Sequence, residues 1–196
     1  MLTFPFFSLS SHGEAKVFLL RLLSADGTNR LTRECVLALR TAISRIGRDA
    51  RPLVITGNER FFSAGADLKE IAALEAPSAY EFSLMGQDLM RLIEHHPAPA
   101  YAAVSGYCMG GGLDLALACH RRISAPNAVF GHRGAALGLI TGWGGTQRLP
   151  RLVGRTTAIK MFVAAEKVTA RRALEIGLID VLAQDPVAEA LRRLNS

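Results

Sequence analysis

The sequence predicts an α/β domain with parallel strand pairing. Three observations carry that expectation. Short aliphatic runs alternate along the chain with segments whose apolar residues recur at helical spacing, the pattern of strands joined by helical crossovers. Glycine-rich turns follow several of the runs, where a strand reverses into a helix. The chain has 196 residues, 49% of them hydrophobic, which suits one domain with a sizeable core, burying roughly 70% of the surface that the unfolded chain exposes.

Taken in order, Lys16 to Leu23 is rich in Val, Leu and Phe and reads as a strand. A polar stretch, Ser24 to Arg30, follows. Thr32 can cap a helix in which Val36, Leu39, Ile43 and Ile46 share one face. Leu53 to Thr56 is a short buried strand between Pro52 and Gly57. Pro77-Ser78 opens the next helix, with Ser78 and Glu81 as a capping box and Phe82, Met85, Leu89, Leu92 and Ile93 as its apolar face. Ala102 to Ser105 is a strand, Leu113 to Cys119 begins a helix, and Val129 to Gly131 is another short strand. Thr156 to Ala164, Thr169 to Ile176 and Pro186 to Leu194 read as helices. No linker, low-complexity tract or sequence repeat interrupts residues 1–196, so a single domain is expected.

Charged residues make up 20% of the chain and the net charge is +6. The excess is dispersed, with a bias towards the second half, and reads as solvated helix faces or attraction for an anionic ligand. No Lys/Arg run interleaved with aromatics points to nucleic acid. Cys35, Cys108 and Cys119 form neither a disulfide framework nor a metal-ligand spacing, which suggests a reduced, cytoplasmic protein without a metal. The apolar start, MLTFPFFSLSSHGEAK, lacks a basic leader and is broken by Pro5 and Ser8 to Ser11, so a secretory signal is not expected. Ala100 to Cys119 carries one charge, Asp114, and three consecutive glycines; a buried strand and helix fit it better than a membrane span.

Three segments can carry chemistry. Phe61 to Lys69, FFSAGADLK, follows a strand, and its small residues let a ligand approach backbone N–H groups able to hold a partly negative oxygen. Its plainer reading is a surface turn into a helix. Val104 to Asp114 combines a strand end, a glycine run and a helix start. The free N–H groups and positive dipole end there could polarise a carbonyl, with Asp114 about one turn further in. A lone glycine run more often serves close packing. Phe130 to Leu149 is dense in glycine; His132 and Arg133 could line a pocket there, although a histidine so placed is more often structural. Trp143 reads as core.

Taken together and in this order, the segments FSAGADL, AAVSGYCMGGGLD, FGHRG and GGTQRL, with Val153-Gly154-Arg155 and Val168 to Asp180, resemble the enoyl-CoA hydratase/isomerase (crotonase) superfamily over about residues 14–182. The resemblance implies a spiral of ββα units with parallel sheets, assembled as a homo-oligomer, a trimer or a hexamer. It implies an acyl-CoA thioester as substrate, with no cofactor beyond the coenzyme A of that substrate and no nucleic-acid or membrane partner. By position, the N–H groups of Ala66 and Gly111 hold the thioester oxygen as an enolate forms, and Ala64, Asp67, Leu68 and Lys69 border the CoA moiety.

The chain departs from the pattern at both catalytic glutamates. Asp114 stands at the first, its carboxylate retracted by one methylene, about 1.5 Å. Gly134 stands at the second, with no side chain. Thr141 stands where other members carry a later acid. His132 and Arg133 are then the candidate replacements, His132 as a neutral proton shuttle near its ordinary pKa. The C-terminal helical section is expected to be truncated, 183–196 forming one short helix, which would weaken assembly or open the acyl pocket. Hydration of a 2-enoyl-CoA is the default reaction, with Asp114 as general acid/base. The alternatives are a catalytically impaired acyl-CoA-binding or assembly protein and an acyl-CoA decarboxylase, in which Tyr107, His132 or Arg133 positions a carboxylate.

Overall fold

A computed structural model describes residues 2–195. The chain starts with a hairpin of β1 (Leu2–Thr3), β2 (Phe7–His12) and β3 (Val17–Leu22). Then come β4 (Arg30–Leu31), α1 (Arg33–Gly47), β5 (Leu53–Thr56), β6 (Phe61–Ser63), β7 (Gly65–Ala66), α2 (Leu68–Ala72) and α3 (Ala76–Glu94). The middle comprises β8 (Ala100–Val104), β9 (Tyr107–Met109), α4 (Gly111–Ala118), β10 (Arg121–Ser124) and β11 (Val129–Gly131). A 3-10 turn (Gly134–Leu137) leads to α5 (Gly145–Val153), α6 (Arg155–Val163), β12 (Val168–Thr169), α7 (Ala170–Glu175), β13 (Val181–Leu182) and α8 (Pro186–Asn195).

The ββα spiral follows from which sheet each strand joins. The large sheet has the order β1-β2-β3-β5-β8-β10-β13, antiparallel up to β3 and parallel beyond it. The smaller one runs β12-β11-β9-β6, and β4 pairs with β7 in a third, two-stranded sheet. Thus β5 and β6, β8 and β9, and β10 and β11 each give one strand to either sheet before the chain turns into helix. Side-chain alternation divides the large sheet between two cores. Leu20, Leu22, Leu53, Ile55, Ala102 and Val104 face the main core with α1, α3 and α4. Val17, Leu19, Val54, Ala103 and Ile123 face the other way, where α8 covers them with Ala190, Val187, Leu191 and Leu194. Those four recur at helical spacing.

α1 is capped as the sequence suggests, with Cys35 N donating to Thr32 Oγ1 at 3.1 Å. The expected box at α3 is corrected: the helix starts at Ala76, and Glu75 N donates to Ser78 Oγ at 3.0 Å, so Ser78 closes the box from inside the first turn and Glu81 has no part in it. α4 is buried on every side, an apolar helix with one acid, Asp114. No helix among the described residues is long and apolar enough to cross a membrane.

Candidate active site

A cavity of about 690 Å³ opens at the N-terminal end of α4. Its size is that of a small-molecule site. Leu68, Ile71 and Leu74 of α2 and its exit form one wall, and Phe82 and Ser83 of α3 another. The 132–143 loop and Phe162 and Val163 of α6 close the far side, and Gly110, Gly111 and Asp114 lie at the base.

Two backbone amides meet at that base. Gly111 is the first residue of α4, so its N–H has no acceptor within the helix and lies at the positive end of the dipole. Ala66 ends β7, just before Asp67 caps α2 by accepting from Lys69 N at 2.8 Å. A Cβ placed on Gly111 would lie 3.3 Å from the Ala66 nitrogen, so the two groups are neighbours. Gly65 must be glycine for this approach. Its φ is +92°, and a Cβ there would stand 2.6 Å from the Met109 carbonyl oxygen. Ser63 fixes the turn: its hydroxyl donates to Asn29 O at 2.7 Å and accepts from Gly65 N at 3.1 Å. Asn29 in turn donates to the Phe61 and Phe62 carbonyls.

Asp114 supplies the charge. The helix places it one turn inside α4, fully buried, on the cavity wall. Thr141 donates its hydroxyl to Asp114 Oδ2. Oδ1 lies 3.4 Å from His132 Nε2, and neither atom has a hydrogen-bond partner among the described residues. Burial pushes the Asp114 carboxyl up from 3.8 to about 7, against the Thr141 hydroxyl, the Arg148 guanidinium and the Gly145 N–H, which all favour the charged form. Gly145 has no room for a side chain: a Cβ would come within 2.2 Å of Oδ1 and 2.9 Å of Nε2. Arg148 donates to the Trp143 carbonyl at 3.2 Å and pairs with Glu94 at 2.5 Å, tying α5 to the end of α3.

His132, 4% exposed, packs its ring on Phe162 with centroids 5.0 Å apart. The expectation that it titrates near 6.5 is corrected: burial lowers it to about 4, so the ring is neutral at physiological pH. Ala64, Ala66, Leu68, Gly111, Asp114, His132, Arg133 and Gly134 all line the cavity, whereas Asp67 and Lys69 stand outside its lining. Trp143, also on the wall, is 3% exposed and donates its indole N–H to Phe82 O at 3.2 Å. At Gly134 a Cβ would meet the Leu139 carbonyl oxygen at 2.7 Å, so any side chain there would need the backbone to shift. The sequence reading missed Thr141, Gly145 and Arg148 as neighbours of Asp114. Their only local signal was the glycine-dense run around them. Among the described residues no group of three or more His, Cys, Asp or Glu side chains is placed to hold a metal ion.

The family model described as enoyl-CoA hydratase/isomerase matches residues 12–195. A crotonyl-CoA hydratase of Syntrophomonas wolfei subsp. wolfei is 39% identical over 174 residues, covering 87% of this chain and 67% of that protein. A probable enoyl-CoA hydratase of Bacillus subtilis is 41% identical over 162 residues, covering 80% and 62%. The chain thus spans about two thirds of these relatives' length. Among solved structures, Pseudomonas aeruginosa DspI superposes with a TM-score of 0.90 at 34% identity, over 96% of this chain and 78% of the other. The enoyl-CoA hydratase of Bacillus anthracis gives 0.89 at 31% identity, over 96% and 76%.

Proposed function

Because the chain belongs to the enoyl-CoA hydratase/isomerase family, we propose that it binds a 2-enoyl-CoA thioester and adds water across the double bond. The observation that carries this reading is a buried carboxyl, Asp114, poised at about 7 on the wall of the cavity that also holds the paired Ala66 and Gly111 amides. In the proposed reaction the water oxygen bonds to the substrate Cβ, and the π electrons move through Cα to the thioester oxygen. That oxygen gains charge beside the two N–H groups. Each donor of this kind supplies roughly 3 kcal/mol of transition-state stabilisation. The enolate then takes a proton at Cα, and Asp114 moves protons as general acid/base. A carboxyl that titrates near the working pH suits both directions of transfer. Ala64 and Leu68 border the thioester arm, and Asp67 and Lys69 its outer CoA portion.

The similarity to a crotonyl-CoA hydratase supports hydration in particular. Assembly with further copies of the chain, in a cytoplasmic setting, belongs to the same proposal. The exposed Leu137, Leu139, Ile140 and Val163 on the cavity lining offer apolar surface that a second copy would cover. One observation favours a second reading. With Gly134 at the second acid's position and backbone packed beside its Cα, the chain could bind acyl-CoA without hydrating it, or release CO2 from a malonyl-type thioester, a reaction that needs the amides but no acid pair.

The test is steady-state turnover of crotonyl-CoA, followed by loss of the conjugated thioester absorbance, beside Asp114→Asn. The expected outcome is turnover that falls on the order of a hundredfold or more in the variant. Thioester binding by calorimetry without turnover would overturn hydration, and turnover of malonyl-CoA would then identify the decarboxylase.

A further inference from the structure

We propose that the acid and base roles of the hydration are divided between Asp114 and His132: the imidazole Nε2 takes a proton from the attacking water, and the carboxyl Oδ1 gives its proton to Cα. The proposal rests on the hydratase reading above and replaces the missing second acid with a ring from the same segment.

The geometry carries it. Oδ1 and Nε2 are 3.4 Å apart, both buried, both without a hydrogen-bond partner among the described residues, on two side chains that line one cavity. Thr141 donates to Oδ2, and Oδ1 is the carboxyl oxygen that faces Nε2. Gly145 packs against Oδ1 and Nε2 from the α5 side. Phe162 of α6 holds the ring plane. The charged or titratable groups around the pair are few. Arg148 of α5, itself paired with Glu94 of α3, acts on Asp114, and Asp114 faces the buried thiol of Cys108 on β9. Arg133 adjoins His132 in the chain and is exposed. The shift at His132 comes from burial with no charged contributor.

The step balances. At the start Asp114 is protonated and the imidazole neutral, its ring proton on Nδ1. As the water oxygen bonds to Cβ, its proton passes to Nε2, and the Oδ1 proton passes to Cα of the enolate. An imidazolium and a carboxylate remain side by side. Burial makes that imidazolium a strong acid and that carboxylate a strong base, so the proton crosses from Nε2 to Oδ1 and restores the starting state. The net change is OH at Cβ and H at Cα.

This division makes a pH dependence opposite to that of Asp114 acting alone as a base. It needs Asp114 protonated and His132 neutral, so kcat/KM for crotonyl-CoA should fall as pH rises through about 7 and fall again towards about 4. His132→Gln should lower kcat on the order of a hundredfold or more while KM stays within about threefold, with calorimetric binding of the thioester showing an intact fold. A second readout does not use turnover. In a 15N-edited NMR titration of the histidine rings, His132 should stay neutral at pH 6, its signals should inflect near 7 as Asp114 ionises, and Asp114→Asn should abolish that inflection. A kcat/KM that rises through pH 7, a His132→Gln enzyme with more than about a third of the turnover, or a His132 ring without the inflection each overturns the division alone. Loss of all crotonyl-CoA turnover in the unaltered protein overturns the hydratase reading and the division with it.

Discussion

At Asp114 desolvation outweighs three favourable contacts together, since the carboxyl sits near 7 although a hydroxyl, a guanidinium and a backbone N–H all pull it down. The largest of the three effects is that of the Thr141 hydroxyl, which makes Thr141 a positioning residue. Thr141→Val should raise the Asp114 pKa further and move the limb of the pH–rate profile near 7 upward by about one unit, with Thr141→Ser restoring it. A limb that stays put in Thr141→Val would show that the hydroxyl does not hold the carboxyl. The place of the cavity was legible in the sequence because the turns at 61–69 and 104–114 are local: glycine and small residues mark where strands give way to helices, and Asp114 follows within one turn. Thr141, Gly145 and Arg148 were not legible as its partners. They reach Asp114 from a loop and a helix 27 or more positions later, through packing against α4 that no local pattern reports.

Among the elements, those read most accurately have the clearest local physics. β5 and β11 lie where their short apolar runs put them, and α1 follows its cap. Two-residue strands such as β7, β12 and β13 carry too little alternation to be seen before their partners are known. The hairpin of β2 and β3 was half hidden because the first residues look like an interrupted apolar leader. α5 was hidden by its own composition, with glycines at its start and Pro150 inside, both ordinarily helix breakers. Yet those glycines are what let α5 approach α4. Gly145→Ala should therefore act on the chemistry by pushing against Oδ1 and Nε2, with alanine itself well suited to a helix. A displacement near 1 Å corresponds to a rate loss of about a hundredfold. Kinetics together with a melting curve would check it, and full activity in Gly145→Ala would show that the carboxyl and ring can move without penalty.

For the whole molecule, a buried acid and a buried base leave opposite marks on stability. Asp114 has its folded pKa raised, so its contribution is present below about 4 and is lost as pH rises through about 7. His132 has its folded pKa lowered, so its contribution is present above 6.5 and is lost as pH falls through about 4. The two slopes oppose each other between those limits. Asp114→Asn removes only the first, so the stability of the variant relative to the unaltered protein should increase between pH 4 and pH 7.5, by up to about 4 kcal/mol. Urea unfolding at the two pH values checks this, and a difference independent of pH would mean that Asp114 is not held protonated. Both groups sit where the two sheets, α4 and α5 converge, so the same burial that stabilises the main core sets the chemistry.

The turn at Gly134 has a consequence for redesign. Leu139 N donates to Gly134 O at 2.8 Å, and the Leu139 carbonyl oxygen fills the space beside the Gly134 Cα. A glutamate introduced at Gly134 would bring its Cβ against that main-chain oxygen, so the turn from 134 to 139 would have to open before the side chain could enter the cavity. Grafting an acid here is therefore a loop-design problem first and a side-chain problem second: Gly134→Glu alone should cost stability, whereas a longer 134–139 loop would make room for it.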